Sequence, residues 1–166
     1  SVKAGGRFTE DRRATNAGVQ AFAGHTPEVA EFLLGEVLAR ESSSVREFLL
    51  DVSTLDVLSG PVCDAITERD DSAALLRSLE LDGLFISSVD EIRESYRFQP
   101  LFREFLSDQM RLNSPKRLLE MHSRAARWFG AAGDAPTAIE HGLAAGEAPG
   151  AAEERQGHQL VPGRRR

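Results

Sequence analysis

Apolar residues recur at three- and four-residue intervals through most of the chain, a spacing typical of amphipathic helices. The first such run follows Thr26, where Pro27 occupies a first-turn position, and it predicts a helix over residues 27–40. The inward face of that helix is predicted to hold Val29, Phe32, Leu33 and Val37. A second helix is predicted to begin at Ser44, because Ser44 and Glu47 have the spacing of a capping box.

The same periodicity and its stop signals predict five further helices. They cover residues 61–67, residues 72–82 ending at Gly83, a segment from Pro100 to about 112, a long helix ending at Gly133, and a partner helix ending at Gly146. The ends of the chain lack such a pattern. We therefore predict a disordered linker over 1–16 and a disordered tail over 147–166.

One segment departs from the helical period. Leu84–Ile86 and Tyr96–Phe98 are short apolar runs separated by the charged, serine-containing segment Ser87–Ser95. This pattern predicts a β-hairpin of two short strands. Three helices followed by a hairpin are the order of a winged helix-turn-helix, and the last two helices have the form of one tetratricopeptide-like (TPR-like) helical hairpin. The predicted fold class is mainly α: a winged helix followed by a TPR-like helical hairpin.

Composition limits the class of protein. The 166 residues are about one domain's worth of chain, with 41% apolar and 28% charged residues, which is typical of a globular protein. No apolar stretch approaches the length that a membrane-spanning helix needs, so we expect no membrane span. The single cysteine, Cys63, cannot form an internal disulfide, which favours a reducing, cytoplasmic location.

Charge bears on the choice of partner. The net charge is −6, but residues 1–13 and residues 151–166 each carry +2, so the middle carries −10. The helix at Ser72–Asp82, which would enter the major groove in a DNA-binding winged helix, carries Arg77 against several acids. The hairpin is also acidic. We therefore expect a protein-facing surface, while a free-standing DNA-binding winged helix, with salt-dependent binding to duplex DNA, remains the alternative.

Candidate chemistry is sparse. The two lysines, Lys3 and Lys116, follow no glycine-rich phosphate loop, so autonomous ATP hydrolysis is not expected. The four histidines are far apart in sequence, predict no metal site and are interpreted as solvated or packing side chains; they are His25, His122, His141 and His158. We interpret Cys63 as a buried apolar filler. The adjacent carboxylates are interpreted as solvated loop or cap residues; these pairs are Asp70-Asp71, Asp90-Glu91 and Glu153-Glu154. No catalytic residue is predicted, and an enzyme would need histidine and carboxylate assembled around Cys63.

A series of short motifs in uninterrupted order resembles the large LuxR-type regulators of the MalT class. The motifs are Gly24-x4-Val29-Ala30-Glu31-Phe32-Leu33-x2-Glu36-Val37-Leu38, Val45-Arg46-Glu47-Phe48-Leu49-Leu50, Leu58-Ser59-Gly60-Pro61-Val62-Cys63-Asp64-Ala65, Ser72-Ala73-Ala74-Leu75-Leu76, Leu84-Phe85-Ile86, Tyr96-Arg97-Phe98-Gln99-Pro100-Leu101-Phe102, and Ala125-Ala126-Arg127-Trp128 through Gly133 to Ala138-Ile139-Glu140-His141. The resemblance extends over about residues 17–147.

The resemblance implies a fragment of a STAND-type ATPase that acts as a signal-gated transcriptional activator. In that family a nucleotide-binding module precedes a helical segment, a winged helix, a TPR-like sensor and a LuxR-type DNA-binding domain. This chain would hold the end of the helical segment (17–40), the winged helix (41–112) and the first sensor repeat (113–146). Its partners would be the protein's own nucleotide-binding module and TPR sensor domain, with the inducer unknown and no direct DNA binding. Its function would be to relay nucleotide and inducer state between them, with ATP or ADP bound elsewhere in the full-length protein.

The resemblance also singles out two residues. In the family an aromatic-Arg-aromatic-His motif after the hairpin places a histidine near the phosphates of ADP, whereas here Tyr96-Arg97-Phe98 is followed by Gln99. A glutamine amide can donate a neutral hydrogen bond but lacks the charge that strengthens contact with phosphate. Gln99 is thus a candidate ADP-facing residue that weakens the closed state, or simply a polar residue at a helix N-terminus. Arg97 is predicted to face either the nucleotide or a neighbouring carboxylate.

Overall fold

The computed structural model describes residues 26–146, which form seven helices and three short strands. In chain order these are α1 Pro27–Arg40, α2 Ser43–Val52, β1 Leu58–Ser59, α3 Gly60–Thr67, α4 Ser72–Leu81, β2 Ile86–Ser88, β3 Ser95–Phe98, α5 Pro100–Asn113, α6 Pro115–Ala131 and α7 Ala135–Ala144. The predicted mainly α class, a winged helix followed by a helical hairpin, is confirmed. The predictions for 1–16 and 147–166, and the part of the 17–40 segment before residue 26, lie outside the described residues.

The helix boundaries follow local sequence signals closely. α1 has the predicted bounds, and prolines occupy first-turn positions of α1, α3, α5, α6 and α7. The capping box predicted at Ser44 is wrong. The N-cap of α2 is instead Ser42, whose Oγ accepts a hydrogen bond from the Val45 amide at 3.3 Å. A serine earlier in the same run of serines therefore starts the helix.

The inward face of α1 is also shifted from the predicted one. Val29 and Phe32 are 42% and 66% exposed. Val37 is buried as predicted, and Leu33 packs against the core at partial burial. The buried positions have the spacing i, i+4, i+7, i+8 and are Ala30, Leu34, Val37 and Leu38. Both stripes are apolar, so the sequence alone did not distinguish the face that the remaining helices cover.

The predicted hairpin is present, with corrected bounds and one additional strand. β2 and β3 pair antiparallel with Ile86 opposite Phe98, so the first strand covers 86–88 rather than 84–86. Phe85 has a left-handed φ of 48°. It therefore cannot continue an extended strand. β1 pairs with the other edge of β3, with Leu58 opposite Tyr96, giving a three-stranded sheet in the order β1-β3-β2.

One hydrophobic core joins the winged helix to the helix that follows it. Its members come from α1 to α5 and the sheet, and it includes Ala125 of α6, which is fully buried. Trp128 and Phe129 of α6 pack against the same cluster. The described residues include no helix that is both long enough and apolar enough to cross a membrane.

Gly60 marks the close approach of α3 and α4. A Cβ at this position would lie 2.8 Å from the Cβ of Ala73, a separation that neither backbone can absorb without moving. We expect Gly60→Ala to lower the free energy of unfolding by about 1–3 kcal/mol, measured by urea denaturation. Gly142→Ala in α7 is the matched control, because a Cβ there meets no described atom within 4 Å. This control should be neutral or stabilising, and equal losses in both variants would contradict the crowding at Gly60.

Candidate functional site

Gln99 lies where the sheet passes into α5, at the N-cap of that helix. Its backbone N–H donates to the carbonyl oxygen of Phe85 at 2.7 Å, and its own carbonyl accepts from the Arg103 amide at 3.0 Å. These two bonds fix the backbone between β3 and α5. The first amides of a helix have no intrahelical carbonyl to bond, so the start of α5 presents a partial positive charge.

The side-chain oxygen of Gln99 is unsatisfied. It makes no capping hydrogen bond, and its buried Oε1 has no hydrogen-bond partner among the described residues. A buried acceptor without a hydrogen bond costs free energy, so this position favours a ligand or a neighbouring protein group that forms a hydrogen bond with the side chain. Because a half-turn of the amide exchanges its oxygen and nitrogen, the same side chain can offer N–H groups to an acceptor such as phosphate.

Two arginines flank Gln99 and share one carboxylate. Arg103 Nη1 lies 3.0 Å from Asp56 Oδ1, and Arg97 Nη2 lies 3.8 Å from Asp56 Oδ2. Arg103 Nε also donates to the Ser53 carbonyl at 3.4 Å. We call these four residues, Asp56, Arg97, Gln99 and Arg103, the Gln99 corner. Two guanidinium groups and one carboxylate leave it net positive beside a helix N-terminus, an arrangement that suits an anion.

The corner contains both site residues predicted from the sequence and two that were not predicted. Arg97 contacts a carboxylate, one of the two alternatives expected for it, and stays 56% exposed. Arg103 could have been suggested by its place one turn after Gln99. Asp56 lies in the loop before β1, far from Arg103 along the chain, and no local pattern indicates it.

The predicted inert role of Cys63 agrees with its surroundings. Its side chain is fully buried, and burial raises the pKa of the thiol to about 12. The thiol is therefore protonated at neutral pH, which makes it a poor nucleophile. Among residues 26–146, no group of three or more histidine, cysteine, aspartate or glutamate side chains is arranged to hold a metal ion.

Two histidines that are distant in sequence are brought together. The Nδ1 atoms of His122 and His141 are 2.9 Å from each other across the α6–α7 hairpin, so both are packing residues. Their contact was not predicted, and His25 and His158 lie outside the described residues. The pair could not be found from spacing, since the two helices must first fold back on each other at Gly133.

One member of each acidic pair in the described residues has a structural partner. Asp71 accepts two hydrogen bonds from Arg69 at 2.8 and 2.9 Å, and this contact lowers the pKa of the carboxyl. Asp90 Oδ1 accepts from the Glu94 amide at 2.9 Å in the turn between β2 and β3. Both fit the predicted loop or cap role, and Glu153 and Glu154 lie outside the described residues.

The surface that would face DNA carries few cations. Arg93 of the wing lies 3.7 Å from Glu80 of α4, which offsets its charge, and α4 itself carries a single arginine, Arg77. Glu80 also accepts a hydrogen bond from the Ser88 amide at 2.8 Å, which ties α4 to β2. Paired cations of this kind contribute little to attraction of a phosphate backbone.

Polar contacts of two arginines, Arg117 and Arg124, attach α6 to the winged helix. Arg117 donates to both oxygens of Asp51 in α2, at 2.6 and 2.7 Å. Arg124 donates to the Ile66 carbonyl at the end of α3 at 2.8 Å and forms ion pairs with Glu68 and Glu120. We call Asp51, Ile66, Arg117 and Arg124 the α6 joint. It connects residues 58 and 66 positions apart in sequence.

Burial controls the ionisation of Asp51. Desolvation raises the pKa of this carboxyl, and the hydrogen bonds from Arg117 offset only part of that effect. The same hydrogen bonds raise the pKa of Arg117, because they stabilise its charged form. Desolvation opposes this rise only weakly, since the Arg117 side chain is more exposed than that of Asp51. The hydrogen bonds from Arg117 therefore offset part of the free-energy cost of burying the Asp51 carboxylate.

Comparison with known proteins identifies a family and several relatives of this chain. A family model described as the MalT winged helix domain matches residues 34–118. The HTH-type transcriptional regulator MalT of Yersinia pestis (strain Pestoides F) is 36% identical over 119 residues, which are 72% of this chain and 13% of that protein. The serine/threonine-protein kinase PknK of Mycobacterium tuberculosis is 30% identical over 147 residues, 89% of this chain and 13% of that protein. The chain thus spans only a small part of the length of these curated relatives.

Proposed function

Because the chain belongs to the family of MalT winged helix domains, we propose that it relays nucleotide and inducer state between an ATPase module and a TPR-like sensor. The family membership makes it a module of MalT-like transcriptional regulators. The relay is the part that we propose. A transcription regulator acts where the DNA is, so we propose the cytoplasm as its location.

The observation that carries the relay is the α6 joint. A relay must transmit movement, so its two ends must move as one body. Arg117 and Arg124 hold α6 on α2 and α3, and Ala125 is buried in the core of the winged helix. Displacement of the winged helix would therefore carry α6, and with it the helical hairpin. The proposed boundary between the winged helix (41–112) and the helical hairpin (113–146) is therefore a boundary in sequence only, because one hydrophobic core extends across it.

The input side of the relay is the Gln99 corner. Its residues fit an anion, since Arg97 and Gln99 lie beside the N-terminus of α5, while Asp56 balances part of the charge. We assign Arg97 and Gln99 to the phosphates of ADP bound by the neighbouring module. A nucleotide would supply the anion and hold the two modules together. Arg97, Gln99 and the helix N-terminus would orient it, and in the relay none of these residues performs catalysis.

The output side is assigned to protein rather than DNA. Arg93 of the wing is paired with Glu80, α4 carries a single arginine, Arg77, and the middle of the chain is acidic overall. The proposed partners are therefore the nucleotide-binding module, the sensor that follows α7, and an inducer of unknown chemistry. Contact with promoter DNA would belong to another domain.

A chimera tests the relay and the role of Gln99. Residues 27–146 replace the matching segment of the Yersinia pestis MalT regulator, and release of bound ADP is measured together with inducer-dependent transcription. We expect Gln99→His to slow ADP release about tenfold, because a charge-assisted contact replaces a neutral one, and to lower transcription without inducer. Arg111→Met, at an exposed position on α5, should change neither ADP release nor transcription. Unchanged ADP release in the Gln99→His chimera would contradict the assignment.

A further inference from the structure

The His122–His141 pair joins the two helices of the hairpin through their ring nitrogens. The Nδ1 atoms face each other at 2.9 Å, with ring centroids 5.2 Å apart and planes inclined by 40°. Two nitrogens at this distance form a hydrogen bond when one carries a proton and the other offers its lone pair. Two protons would place two N–H groups against each other, and no proton would place two lone pairs against each other.

The pair is the main buried contact of α7. His141 is 8% exposed and is the buried residue of α7, whereas the apolar side chains of Ile139 and Leu143 are each 57% exposed. The ring of Phe129 in α6 lies parallel to that of His141, with centroids 5.6 Å apart and planes inclined by 2°. The attachment of α7 therefore depends strongly on one imidazole, held between an aromatic ring and a second imidazole.

Burial, rather than the surrounding charges, disfavours protonation of the two rings. Glu140, beside His141 on α7, favours the charged rings, while Arg103 of α5 opposes charge on His141. Other charged side chains on α2, α3 and α6 are held in ion pairs. Asp51 of α2 bonds Arg117, and Glu68 of α3 and Glu120 of α6 pair with Arg124.

We propose that His122 and His141 form a proton-operated lock, in which the hydrogen-bonded pair holds α7 against α6 and protonation of both rings, which places a proton on each Nδ1, releases α7. This device uses other residues than the Gln99 corner, which influences it only through the charge of Arg103, and it does not depend on the relay. It would make the hairpin, and any element docked on it, sensitive to acidification in the range where imidazole titrates.

The direction of the pH effect follows from burial. Desolvation is the largest cause that lowers the pKa of both rings below the ordinary value of 6.5. The released or unfolded state, with ordinary histidines, then binds protons more readily than the closed hairpin. The closed state is fully stable above pH 6.5 and loses stability as the pH falls from 6.5 through the lowered values.

Nitrogen-15 NMR of the histidine rings tests the geometry directly. At pH 8 we expect one of the two residues to carry its proton on Nδ1 and the other to have a bare Nδ1, which the ring nitrogen shifts distinguish. His122→Asn places an amide near the former Nδ1 position, so His141 should keep a hydrogen-bonded Nδ1 in that variant. Protons on Nε2 in both histidines of the unmodified chain would overturn the shared-proton geometry.

Fluorescence of Trp128, the one tryptophan of the chain, reports on the hairpin because its ring packs edge-on against Phe129. We expect the opening equilibrium constant to rise roughly tenfold between pH 6.5 and 5.5. His122→Asn should reduce this pH dependence by about half, since it removes one of the two titrating rings. The matched control, His25→Gln with His158→Gln, should retain it. An undiminished pH dependence in His122→Asn, or its loss in the control, would overturn the lock.

Discussion

Replacement of Phe102 by alanine should lower the free energy of unfolding by about 3–5 kcal/mol, the largest loss we expect from a single substitution. Phe102 is fully buried on α5, next to the Gln99 corner. Its ring contacts Phe85 at a centroid distance of 4.9 Å and Phe98 at 5.8 Å in an edge-on arrangement. Truncation of the ring leaves a cavity, because the segments that carry Phe85 and Phe98 are held by backbone hydrogen bonds and cannot collapse into it. Urea denaturation followed by circular dichroism measures the loss.

The aromatic cluster also explains how Phe85 keeps its left-handed backbone. The φ of Phe85 is 48°, and its ring packs on Phe102. A bulky residue in this region is strained, and the packing of the ring offsets the strain.

The matched control for Phe102→Ala is Leu112→Ala on the same helix. Leu112 is 77% exposed, so its truncation removes little buried surface. We expect a change in the free energy of unfolding within about 0.5 kcal/mol. Similar losses for Phe102→Ala and Leu112→Ala would contradict the burial described for α5.

Replacement of Arg117 by methionine should destabilise the chain by about 2–3 kcal/mol at pH 7. The methionine keeps much of the side-chain volume but leaves the Asp51 carboxylate buried without its two hydrogen bonds. The expected loss is set below that of a fully buried pair because Arg117 is 43% exposed. Adding Asp51→Asn should recover part of it, since the neutral amide needs no countercharge. Chemical denaturation of the single and double variants gives the coupling free energy.

The pH dependence of this variant has a definite sign. Burial already raises the pKa of Asp51, and loss of Arg117 removes the contact that opposes the rise. Ionisation of Asp51 therefore opposes folding more strongly in Arg117→Met, so its deficit relative to the unmodified chain should shrink as the pH falls toward the pKa of that carboxyl. Arg111 forms an exposed pair with Asp108. Breaking that pair by Arg111→Met should cost less than about 0.5 kcal/mol. A deficit of Arg117→Met that grows in acid would contradict a buried, charged Asp51.

Helices were predicted well because their signals are local. Pro27, Pro100 and Gly83 mark the starts and ends of helices through backbone geometry that depends on few neighbours. The errors at Ser44 and in the inward face of α1 share a different origin. In each case the sequence offered alternatives that local pattern does not separate: neighbouring serines at the start of α2, and two apolar stripes on α1, of which packing selected one.

The candidate site was predicted in part. Arg97 and Gln99 were found through their resemblance to a family motif, and the structure adds their placement at the start of α5. Asp56 and Arg103 complete the corner through a contact between positions 47 apart in sequence. The α6 joint and the histidine pair carried no sequence signal that spacing could detect.

The sequence by itself determined the helices, the position of the hairpin and the acidic character of the middle of the chain, because each depends on residues within a few positions of one another. The tertiary structure alone decided that Leu58 pairs with Tyr96, that Asp51 meets Arg117 and that His122 meets His141. Such contacts form only after chain segments far apart in sequence have been brought together, and the free energy that selects them comes from burial in the shared core.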